Sequence, residues 1–103
     1  MIMSLHEKKY QNAILYLCQK LGGEVRGKKK LAKLLYFVDF VFYEKTQKSV
    51  TGDVYKALPM GPFPTALDKM TIEMSKKKTL FVDTIEERRG YNPTEVYRCL
   101  TDP

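Results

Sequence analysis

The sequence predicts an α+β fold, predominantly helical: three main helices with a short strand and a C-terminal β-hairpin, in winged-helix-like order. Three observations predict it. Apolar residues recur at three- and four-residue spacing in three stretches, and two stretches near the C-terminus alternate apolar with polar. Glycine, asparagine and proline punctuate the links between them.

The first helix opens at "SLHE", where Ser4 and Glu7 have the spacing of a capping box. Tyr10, Ala13, Ile14, Leu17, Cys18 and Leu21 then line one stripe. Gly22 and Gly23 stop it, because glycine takes the left-handed C′ conformation without a Cβ penalty.

The second helix is predicted from Gly27 or Lys28 to about Lys45. Its main stripe is Leu31, Leu34, Leu35, Val38, Val41 and Phe42, and Tyr36, Phe37, Phe40 and Tyr43 cover most of the remaining circumference. A helix apolar nearly all round reads as central and buried. Asp39 interrupts it. A buried carboxylate is costly unless hydrogen-bonded or paired, so Asp39 is expected to anchor backbone N–H groups of a neighbouring loop such as the Gly-Pro segment, with partner binding as the alternative.

"KSVTGD" carries turn chemistry, and "VYKAL" (Val54 to Leu58) alternates as a short strand. The stretch "KALPMGPFP" then holds three prolines and a glycine. Pro62 and Pro64 fix φ and lack N–H donors, while Gly61 allows conformations other residues avoid. This predicts a rigid elbow that aims the third helix, with Met60 and Phe63 as apolar residues available to a partner. The third helix is predicted from Thr65 to Lys77, with Thr65 in N-cap spacing to Asp68 and an apolar face of Leu67, Met70, Thr71 and Met74. "LFVDTIE" (Leu80 to Glu86) and "EVYRCL" (Glu95 to Leu100) form the hairpin. Arg88 and Arg89 lie near its tip, and the last strand is expected to be left uncovered.

Residues 1–103 are read as one domain, since chains divide only well beyond this length. A net charge of +6 favours acidic partners: nucleic acid, anionic membrane or an acidic protein. Cys18 and Cys99 form no CxxC or Cys/His cluster, so two free thiols in a reducing cytoplasm are expected, without a metal or cofactor. The longest apolar run, Leu34 to Tyr43, is half a membrane span and contains Asp39, so no membrane association is expected. Phosphate loops and nucleophile elbows are absent from the sequence, and the single histidine, His6, sits in the first turn of the first helix. Nucleophilic catalysis lacks an activator, so the chain is read as a non-enzyme with no small-molecule substrate.

"KLLYFVDF" followed by "TGDVYKALPMGPFPTAL" resembles the Panacea domain, the SocA-like antitoxin family also known through phage-associated GepA-like proteins. Lys33, Leu34, Leu35, Tyr36 and Asp39 match its first motif. Thr51, Gly52, Asp53, Tyr55 and Ala57 match the second, and Gly61, Pro62 and Pro64 the third. The resemblance covers roughly residues 10 to 103. It implies a mostly helical antitoxin of toxin–antitoxin pairs that neutralises a cognate protein toxin, encoded next to it, by direct binding. Relatives usually continue into further helices, which implies that this chain is a truncated or short variant.

Two other readings stand beside it. A winged-helix-like DNA binder would read with its third helix, meet phosphates with Lys76, Lys77 and Lys78, and place Arg88 and Arg89 in the minor groove. Against it, Asp68 and Glu73 on that helix repel phosphate. A phage or mobile-element interaction protein would complete its last strand with a strand from another chain.

Overall fold

The computed structural model describes residues 5–59, 61–86, 89–90 and 92–103. Helix α1 (Glu7–Lys20) buries Tyr10, Ile14, Leu15, Leu17 and Cys18. It ends as a Schellman motif: the Gly23 N–H donates to the Cys18 carbonyl at 2.8 Å and that of Gly22 to the Gln19 carbonyl at 3.1 Å. Gly22 and Gly23 have φ of +88° and +108°, a region costly for other residues. The capping box foreseen at Ser4 falls outside the described residues. At Glu7 the N-cap is His6, whose side chain does not cap the helix.

The turn feeds β1 (Glu24–Arg26), a strand too short to leave an alternation in the sequence. Helix α2 (Lys28–Thr46) follows, then a hairpin of β2 (Tyr55–Leu58) and β3 (Gly61–Pro64), helix α3 (Leu67–Lys76), and the strands β4 (Leu80–Ile85) and β5 (Thr94–Cys99). All strand pairs are antiparallel, in sheets ordered β1-β5-β4 and β2-β3. The fold is α+β, but not predominantly helical: helices hold 45% and strands 24% of the described residues. The difference lies in β1 and β3, which supply pairing that the sequence reading gave to turns.

Three further expectations are corrected. The last strand is not left uncovered. β5 lies between β1 and β4, with Val25 opposite Tyr97 on one side and Val82 opposite Tyr97 on the other. The proline-rich elbow is instead strand β3. The Thr65 N–H donates to the Val54 carbonyl at 3.0 Å, so by alternation the bonded pairs continue at Lys56–Phe63 and Leu58–Gly61. Pro62 and Pro64 then occupy positions whose N–H would point away from β2, where proline costs no ladder bond. Finally, α3 begins at Leu67 with Ala66 as N-cap, two residues later than expected. Thr65 is drawn off to another partner, Asp53.

The core joins Ile14, Leu31, Leu35, Leu67, Met70, Met74, Leu80 and Tyr97, contributed by all three helices and the three-stranded sheet. Helix α2 is not buried all round. Leu31, Ala32, Leu35 and Asp39 are buried, whereas Phe37 is 65% and Phe40 50% exposed.

Candidate functional site

Two buried aspartates organise the ground between the helices. Asp39, 6% exposed on α2, accepts through Oδ1 from the Ser49 hydroxyl (3.0 Å), the Val50 N–H (2.8 Å) and the Thr51 N–H (2.9 Å). Its Oδ2 accepts from the Thr51 hydroxyl and, at 2.7 Å, from the Tyr55 hydroxyl. Asp39 therefore anchors backbone as the sequence suggested, but the anchored loop is Ser49 to Thr51 and not the Gly-Pro segment.

Asp53 does the same for the start of α3. It accepts from the Tyr10 hydroxyl (2.6 Å), the Thr65 hydroxyl (2.9 Å) and the Ala66 N–H (3.0 Å). It thus satisfies an orphan donor at the N-terminus of α3, the N-cap N–H that the acid of a capping box would take, from 13 positions away. Between the aspartates, Gly52 is buried at φ +70°, which lets the chain turn so that Thr51 and Asp53 serve different neighbours. The His6 N–H donates to the Thr51 carbonyl at 2.9 Å and ties the start of α1 to the same loop.

Burial raises the Tyr10 hydroxyl above the ordinary tyrosine range, and the bonded carboxylate of Asp53 raises it further. Burial, then Asp39, does the same to Tyr55. Burial also pushes the Cys18 thiol up to about 12, with Cys99 adding to the shift. Such a thiol is a poor nucleophile at neutral pH. These groups are locked protonated and face acceptors or the core, an arrangement that holds structure and offers no reacting group to solvent. Among the described residues, no cluster of His, Cys, Asp and Glu could hold a metal ion.

The outer side of α2 is different. Phe37 and Phe40 fall opposite the buried Leu31 and Leu35, Tyr36 and Tyr43 flank them on the side of Asp39, and all four are exposed. Tyr36 stacks on Phe40 with ring centroids 6.1 Å apart and meets Tyr55 edge-on at 5.2 Å. Lys33 shares this outer side, exposed, one turn before Phe37.

A family model described as "Antitoxin SocA-like, Panacea domain" matches residues 31–99. The chain belongs to this family. Comparison with curated proteins and with solved structures returned no match.

The three stretches that resemble Panacea motifs now have places. Asp39, Thr51, Gly52, Asp53 and Tyr55 form the buried polar network, and Leu35, fully buried, and Leu34, half-buried, pack into the core beside it. Lys33 and Tyr36 lie on the exposed side of α2, and Ala57 is exposed on β2. Gly61 opens β3 at φ +119°, Pro62 is exposed and Pro64 buried. Of the two elbow residues, Phe63 is partly buried against the core and Met60 lies outside the described residues.

Lys76, Lys77 and Lys78 are exposed around the end of α3 and Arg89 is exposed beyond β4, while Arg88 lies outside the described residues. The sequence reading missed the exposed aromatic side of α2 because a helix with an aromatic back resembles a buried one. The interruption by Lys33 was the available signal, since a fully buried helix would not carry a lysine in that arc. No helix among the described residues is long and apolar enough to cross a membrane.

Proposed function

We propose that this Panacea-domain chain is an antitoxin-type protein-binding module that neutralises a partner toxin, encoded beside it, by direct contact and without catalysis. One observation carries the reading: the exposed aromatic arc Tyr36, Phe37, Phe40 and Tyr43 on a helix whose other side is held by the core. Aromatic side chains on a rigid element bind with little loss of entropy and are enriched at protein interfaces. Membership of an antitoxin-like family supports a protein as the partner. The test is co-expression with the product of the neighbouring gene, scoring host growth beside a pull-down. Rescued growth with a stoichiometric complex is the expected result; a toxic neighbour left unrescued and unbound overturns it.

The sheet order β1-β5-β4 around three helices gives DNA binding a second hearing, because a winged helix shares that order. The outward side of α3 argues against it. Asp68 there pairs with Lys28, and Lys69 pairs with Glu7 at 3.2 Å, so its charges are of mixed sign and these two are already engaged. A duplex DNA shift that weakens steeply with salt would favour this second reading.

A further inference from the structure

A groove of about 520 Å³ runs between the N-terminal half of α2 and the β2–β3 hairpin. Its two kinds of lining differ sharply. Leu58, Pro62 and Phe63 form an apolar wall from the hairpin, and Lys28, Lys29 and Lys33 come from α2. Glu95 is the carboxylate on this lining, and it already accepts from the Tyr97 hydroxyl at 2.6 Å. Lys28 is engaged by Asp68. Lys29 and Lys33 are exposed and form no ion pair among the described residues.

The charge here is not an average property of a basic chain. The first turn of α2 contains no acidic residue and its N-cap Gly27 offers no side-chain cap. Lysines therefore crowd the end of a helix whose own dipole is already positive. Asp68 offsets this at Lys28, while Lys29 has no ion pair among the described residues, so an anionic group from outside would be favourable there. The apolar wall restricts what that group belongs to. Leu58 is 41% exposed and Pro62 is exposed, so the wall can be covered further by apolar side chains. The volume has room for a few side chains and not for a packed helix.

We infer that this groove docks an extended acidic segment of the protein partner, its carboxylates meeting Lys29 and Lys33 and its apolar side chains covering Leu58, Pro62 and Phe63. The inference rests on the protein-binding reading and adds to it the chemistry of the partner's segment. Nucleic acid would satisfy the lysines but leave the apolar wall exposed.

The test uses the full chain and three fluorescein-labelled probes. They are an octapeptide alternating Glu or Asp with Leu or Phe, the same peptide with Gln and Asn replacing the acids, and an oligothymidine of similar length. The acidic peptide is expected to bind at least tenfold more tightly than the neutral one, shifting the backbone amide resonances of Lys29, Lys33 and Leu58. Lys29→Glu with Lys33→Glu should abolish that preference, and Leu58→Ser should weaken the acidic peptide severalfold; a thermal melt checks that each variant folds. Equal binding of the two peptides, undiminished binding to the double lysine variant, or tighter binding of oligothymidine overturns the inference.

Growth rescue separates this inference from the reading beneath it. If the lysine variant still binds and neutralises the neighbouring toxin, the antitoxin reading stands and the groove falls. If the acidic peptide binds as expected but the toxin is neither bound nor neutralised, the groove stands and the antitoxin reading falls.

Discussion

Asp39 holds five donor groups of the loop and strand that follow α2. Replacing it by alanine strips acceptors from two backbone N–H groups and three hydroxyls. Each buried donor left unsatisfied costs about 1–3 kcal/mol, and water can reach the half-buried Ser49 and Val50. Asp39→Ala should therefore destabilise by roughly 3 kcal/mol in urea unfolding. Asp39→Asn should cost only about half as much. Its amide oxygen can keep the three Oδ1 donors, and the Thr51 and Tyr55 hydroxyls can turn to accept from its NH₂. Equal losses from both variants would show that charge, not acceptor geometry, holds the loop. The tyrosines predict a pH dependence. Tyr10, Tyr55 and Tyr97 all have folded-state values raised above that of the unfolded chain, burial being the main cause. Their contribution is fully present below the unfolded tyrosine value, about 10, and is lost as pH rises beyond it. Melting temperature should fall steeply above about pH 10, and absorbance at the tyrosinate band should show these three ionising only as the chain unfolds.

At the scale of elements, α2 does two jobs on its two sides. Phe37 and Phe40 are exposed and distant from Leu31 and Leu35 on the wheel, so Phe37→Ser with Phe40→Ser should change stability by less than about 1 kcal/mol. The same pair should abolish capture of the toxin in the pull-down. Loss of folding on circular dichroism would return the arc to the core. How legible this was differs by element. The 3.6-residue stripes of α1, α2 and α3 were readable, because a helix that rests on a core must repeat its apolar residues. The alternation of β4 and β5 was readable for the same reason at period two. The strand β1 was not, since three residues after two glycines leave no pattern to count. The strand β3 was not, since proline argues against strands unless its ring nitrogen faces away from the partner. That depends on register, and register depends on β2.

Across the whole molecule, the sheet order sets where stability should be greatest. Strand β5 is paired on both sides, and Val96 and Tyr97 are buried. The β2–β3 hairpin is a two-stranded sheet with Leu58 exposed beside its turn. Native-state hydrogen exchange should find the Val96 to Arg98 amides exchanging slowest, near the global unfolding limit, and those of Lys56 to Leu58 far faster. Similar protection in both would mean that the hairpin unfolds only with the rest of the chain. The sequence alone determined the α+β class, the three helices, the C-terminal hairpin and membership of the Panacea family, because periodicity, turn chemistry and motif spacing are local properties of the chain. Tertiary structure decided that Asp39 and Asp53 face inward to hold loops, that the last strand is central, and that Phe37, Phe40 and Tyr43 on α2 stay exposed. Each of these depends on which elements meet. A carboxylate finds its donors 10 to 16 residues away in the Asp39 network, and an apolar side is buried only if something lies against it.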